Sequence, residues 1–173
     1  MATPSYLQGN VHVAGAFSCT SMQIPAGTVQ ASDVAAAAGI EATKLEHQHA
    51  IHYWQADGTA IAAAIVPVHT VRGTTATIIG IDVVCVDAPS GGDLAFSVDL
   101  LVADVVAPTP ATVLSAPVAY SETQTDCEVE SGTIASATLA DGDTLLVQVA
   151  VTGSTGTQGQ GLIVTVTVRE DAD

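Results

Sequence analysis

The chain has 173 residues and carries 18 Asp and Glu against three Lys and Arg, a formal net charge of −15. That balance does not suit a nucleic-acid partner, because phosphate binding needs clustered basic residues. The longest apolar runs, such as residues 60–68, are far short of the ~20 residues of a membrane-spanning helix.

The N-terminus, MATPSYLQGN, has neither the basic residues nor the apolar block of a signal peptide. In residues 1–55 apolar positions are sparse and alternation is brief, as in Val11 with Val13 and Met22 with Ile24. Such a segment cannot bury much by itself. In SDVAAAAGIEATKL, Ser32 is placed to cap a short helical turn that Gly39 interrupts before a second turn through Leu45. Four of the six aromatic residues, Tyr6, Phe17, Tyr53 and Trp54, nevertheless fall here. Aromatic side chains without a core of their own point to contact with another chain. Residues 1–55 are therefore expected to form an extended docking and oligomerisation arm.

From residue 56 onward the pattern changes to strands with β-branched residues at period two. Ile79, Ile81, Val83 and Cys85 are expected on one face, as are Phe96, Val98, Leu100 and Val102. Leu145 to Val151 and Leu162 to Val168 alternate in the same way. The Gly-, Pro- and Asp-bearing segments 88–93, 107–110, 140–143 and 152–161 separate them as turns. The last of these, rich in glycine, reads as a flexible surface tip. Seven or eight short antiparallel strands imply an all-β fold, an antiparallel β-sandwich of the jelly-roll kind, over residues 56–173. Cys19, Cys85 and Cys127 are odd in number, widely spaced and outside any CxxC pattern, and are expected to be buried free thiols.

The segment QIPAGTVQASDVAAAAGIEATKLEHQH resembles a linker of tailed-virus structural proteins, in which an isoleucine, two or three small residues, a lysine and a leucine precede a trimeric fibre or spike domain. Ile40, Lys44 and Leu45 fill that pattern. The C-terminal half, through SVDLLVADVVAPTPATVLSAPV and LADGDTLLVQVAVTGSTGTQGQGLIVTVTV, is similar to the β-sandwich of such proteins. The resemblance implies a capsid decoration, head-fibre or turret protein on the outer capsid surface. It would be a homotrimer, docked by its arm on the major capsid protein. The one-sided charge also resembles that of proteins from extreme halophiles; a GC-rich genome would equally account for the scarcity of lysine.

One stretch, KLEHQHAIHYWQADG, holds three of the five histidines, the only lysine and the only tryptophan. In an extended segment His47 and His49, two apart, point to the same side. On a three-fold axis they would offer six imidazoles, enough for an octahedral metal ion. The plainer reading, which we adopt, has His47, His49 and His52 hydrogen-bonding as neutral side chains at a subunit interface. Tyr53 and Trp54 would pack beside them, and no cofactor is expected. Asp141 and Asp143 around Gly142 match a calcium loop poorly and read as a hairpin turn. No nucleophile elbow, zinc helix or phosphate loop appears, so no enzymatic activity is expected. The alternatives are a receptor- or glycan-binding module and, less compatible with histidines expected upstream of the strands, a cupin-like enzyme. Sugar sites use exposed aromatic rings, yet residues 59–173 contain only Phe96 and Tyr120.

Overall fold

Residues that alternate apolar and polar give a strand one dry face, and two sheets can remove their dry faces from water by closing on each other. The computed structural model describes residues 47–104 and 109–170. In chain order its strands are β1 (His47–Trp54), β2 (Ala64–Thr70), β3 (Ala76–Asp87), β4 (Ala95–Ala103), β5 (Ala111–Thr112), β6 (Val118–Tyr120), β7 (Val129–Ser131), β8 (Thr138–Leu139), β9 (Thr144–Thr152) and β10 (Gln160–Glu170). Among the described residues there is no helix. The short helical turn expected around residues 32–45 lies outside them, as do Tyr6, Phe17, Ile40, Lys44 and Leu45.

The strands form two antiparallel sheets. The first runs β1, β10, β3, β7, with β8 also on β3; the second runs β2, β9, β4, β5, with β6 also on β4. The pairing is nested: β1 with β10, β2 with β9, β3 with β7 and β8, β4 with β5 and β6. The chain thus behaves as one long hairpin whose successive pairs fall alternately in the two sheets. Cross-pairings of β10 with β3 and β9 with β4 complete each sheet.

One apolar core lies on the facing sides of the two sheets. Ile81, Val83 and Cys85 of β3 and Leu162, Val164, Val166 and Val168 of β10 share it with Phe96, Val98 and Leu100 of β4 and Leu145, Val147 and Val149 of β9. The two aromatic rings beyond residue 58 are both inside, Phe96 stacked on Tyr120 with centroids 5.1 Å apart.

The structure departs from the expected pattern at four places. Ile79 faces solvent and Ile78 takes the core position, because the register between β3 and β10 shifts by one residue at Thr167/Val168. A bulge adds one residue to a strand and so reverses the inside and outside of everything beyond it. Second, eight residues assigned to the arm, 47–54, make the edge strand β1, whose Ile51 and Tyr53 pack on the core. Third, the glycine-rich segment is latched rather than free. Ser90 and Thr157 donate backbone N–H groups to each other's carbonyls at 3.0 and 2.7 Å. Asp93 Oδ1 accepts from the backbone N–H groups of Ser154 and Thr155 at 2.9 and 2.6 Å and from the Thr155 hydroxyl at 2.6 Å. Gly153 makes the fit possible: its φ is +86°, and a Cβ there would sit 2.1 Å from the Asp93 carbonyl oxygen. Fourth, of the thiols described, Cys85 is buried but Cys127 is exposed. Cys127 has a φ of 59°, in the left-handed region, and donates its N–H to the Cys85 carbonyl at 2.8 Å.

Candidate functional site

Strand alternation divides the histidine-rich stretch between two surfaces. Each residue of β1 opposes one of β10, His47 with Glu170, His49 with Val168, Ile51 with Val166 and Tyr53 with Val164. Because Val164, Val166 and Val168 point into the core, the odd-numbered residues of β1 point the same way. Ile51 and Tyr53 meet the core, whereas His47 and His49 fall at the end of the strand, where it gives out. Their shared side follows from the two-residue spacing, as expected.

There His49 meets a residue that the spacing of the sequence does not reveal, His69 on β2. His69 sits just after Pro67, where the pairing of β2 with β9 shifts register. The His49 and His69 rings lie 6.4 Å apart between centroids, and His47 stacks on His49 at 6.3 Å. Glu170 joins both sheets at this point. Its Oε2 is 3.3 Å from His49 Nε2, and its Oε1 is 3.8 Å from His69 Nε2. The first contact is within hydrogen-bonding range; the second is too long. His69 Nε2 is enclosed and has no hydrogen-bond partner among the described residues. His49 is open to solvent, while His69 and Glu170 are half-buried. Neither His69 nor Glu170 stood out in the sequence, since each is isolated in its own segment and only the pairing of strands brings them together.

The even-numbered residues of β1 face outward. His52 Nδ1 lies 3.1 Å from the Thr165 hydroxyl. Trp54 is 67 % exposed and begins a row that crosses the first sheet at one register: Trp54 beside Ile163, Ile163 beside Val84, Val84 beside Val129. Ile163 and Val129 are also exposed and Val84 is half-buried. The next row, His52, Thr165, Asp82 and Ser131, is polar, and Ser131 donates its hydroxyl to Asp82 at 2.6 Å. At the end of the apolar row a shallow cleft of about 190 Å³ is lined by Trp54, Gln55, Asp57, Val86, Gly161 and Ile163. Gln55 fixes the wall of this cleft. Its side-chain amide donates to the Ala62 carbonyl and accepts from the Ala62 N–H, both at 2.8 Å, and it also donates to the Tyr53 hydroxyl at 2.9 Å.

Asp141 and Asp143 serve loops. Asp141 Oδ1 accepts from the Gly73 N–H at 2.8 Å, and buried Asp143 accepts from the Ala140 N–H at 2.9 Å. Burial pushes the Cys85 thiol up to about 11, so it stays protonated and serves as a core group. Among the described residues no three His, Cys, Asp or Glu side chains stand ready-made around a metal position. No family model and no curated protein matches this chain.

Proposed function

We propose that the protein is a non-enzymatic structural protein of a tailed-virus particle, a capsid decoration, head-fibre or turret protein. In this reading the described residues form a jelly roll on the outer capsid surface. Residues before β1 dock on the major capsid protein, and three copies associate. The nested pairing supports the jelly-roll assignment, since a long hairpin rolled into two sheets is the topology of that fold. The observation that carries the assembly role is the apolar row from Trp54 to Val129. A continuous row of Trp, Ile and Val facing water across four strands is the mark of a surface that another chain covers. It starts on the strand into which the N-terminal residues lead.

Native mass measurement on the full chain, on Trp54→Ser with Val129→Ser, and on a chain cut after Glu46 tests this. The cut keeps β1, whose removal would uncover β10 from Ile163 to Glu170. The full chain is expected as a trimer that binds empty particles; the double variant loses the trimer; the shortened chain stays folded and loses particle binding. A full chain that is monomeric at all concentrations and ignores particles overturns the reading.

A glycan-binding role is the second reading, favoured by one observation. Trp54 stands exposed at the rim of a cleft with Asp57 beside it, and a flat ring next to a carboxylate is the chemistry of sugar recognition. Saccharide binding that is lost in Trp54→Ala while the oligomer persists would favour it over assembly.

A further inference from the structure

We infer that His49, His69 and Glu170 form a binding site for one divalent transition-metal ion per chain, of the zinc class, which ties the edge strands of the two sheets together. The site goes beyond the virion reading and does not rest on it. It also differs from an ion shared on a symmetry axis, because all three ligands come from one chain and His69 is essential.

The argument begins with the ligand set. Two imidazoles and a carboxylate suit zinc and its neighbours, and leave a coordination position for water or a fourth side chain. Ligand atoms held about 2.0–2.2 Å from zinc at tetrahedral angles lie ~3.3 Å from one another. His49 Nε2 and Glu170 Oε2 are 3.3 Å apart already. His69 Nε2 is 3.8 Å from the other carboxylate oxygen, so the side chains must rotate to bring the third ligand in.

His69 supplies the second, independent observation. Its Nε2 is enclosed, faces a carboxylate, and has no hydrogen-bond partner among the described residues. Buried polar atoms in folded proteins are nearly always satisfied, and a metal ion satisfies an imidazole nitrogen and a carboxylate oxygen at once. The backbone contribution is rigid: His49 is on β1 and Glu170 on β10, paired strands of the first sheet, and His69 is on β2, the edge of the second. Entry is open, since His49 is exposed.

A metal here would close the end of the sandwich where apolar packing stops. It would hold β2 against β1 and stabilise only the folded state, since the three ligands are far apart in the unfolded chain.

Zinc binding to the full chain, measured by equilibrium dialysis and by thermal unfolding with and without chelator, tests the site. Cobalt(II), whose visible absorption reports nitrogen ligands and low coordination number, is the spectroscopic probe. One zinc per chain is expected, with a rise of several degrees in Tm and a cobalt absorption band. His69→Gln and Glu170→Gln should each weaken binding at least tenfold, while His52→Gln, on the outer face, leaves it unchanged. Glu170→Gln keeps size and shape, so it reports on binding even where His69→Gln folds poorly. No stoichiometric binding at ~100 μM zinc overturns the proposal. So does equal binding by all variants, which assigns the metal to surface carboxylates, or one ion per three chains, which assigns it to an axis.

Discussion

At Tyr120 a single side chain joins the core to the loop that precedes β7. Its ring is buried against Phe96, and its hydroxyl donates to the Glu128 carbonyl at 2.5 Å. Desolvation by burial raises the pKa of the phenol, which keeps it a donor. Replacing it with Phe retains the stack and leaves a carbonyl without its partner. Tyr120→Phe is expected to cost about 1–2 kcal/mol, read from the midpoint of chemical unfolding at unchanged slope. A loss as large as the ~3–5 kcal/mol of removing an entire aromatic ring would mean that the hydroxyl does more than bridge to this loop.

Between elements, the latch of Asp93 on residues 154–155 joins the β9–β10 connection to the loop before β4. Hydrogen bonds from the Thr155 hydroxyl and the Ser154 and Thr155 backbone lower the pKa of Asp93 from its ordinary 3.8 to about 2. The direction fixes the pH response: a depressed carboxylate stabilises the fold above pH 4 and loses that contribution as pH falls through about 2. Asp93→Asn cannot ionise, so its Tm should lie below that of the parent at pH 5, with the gap narrowing between pH 4 and 2. Two curves that run parallel through that range would mean that the latch is not held by the charged carboxylate. The same connection reads in the sequence as a free tip. A run of glycines permits both a mobile loop and one that approaches another backbone closely, and only the partner loop decides between them. Here Gly153 lies against the Asp93 carbonyl.

At the scale of the whole molecule, acidic charge outweighs every other feature of the composition. Fifteen acids stand against Arg72 and Arg169 in residues 56–173. At ~0.1 M salt the Debye length is ~10 Å and neighbouring copies repel; at molar salt it shrinks to ~3 Å and the repulsion is screened. On the reading of this chain as a protein from an extreme halophile, the oligomer is expected to fall apart at 0.1 M salt and to be intact at 3 M. Tm should rise over the same range. Native mass and thermal unfolding followed together check this. An oligomer and a Tm that are unchanged across the range would leave a GC-rich genome as the explanation of the composition.

The sequence alone determined the all-β class, the inward positions of β4, β9 and β10, and the shared side of His47 and His49, because period-two alternation is a local property of an extended chain. It could not anticipate the bulge that turns Ile79 outward, since a one-residue shift arises from the pairing of two strands and leaves no mark in either. The role of residues 47–54 was hidden for a related reason. An edge strand at the limit of the core carries only two inward apolar side chains, Ile51 and Tyr53, and its histidines obscure the pattern. Only the tertiary structure brought His69 and Glu170, 101 residues apart in the chain, to His49, because contact across two sheets depends on which strands are neighbours in space. It likewise assembled the row from Trp54 to Val129, whose members come from four strands and are unremarkable in each of them.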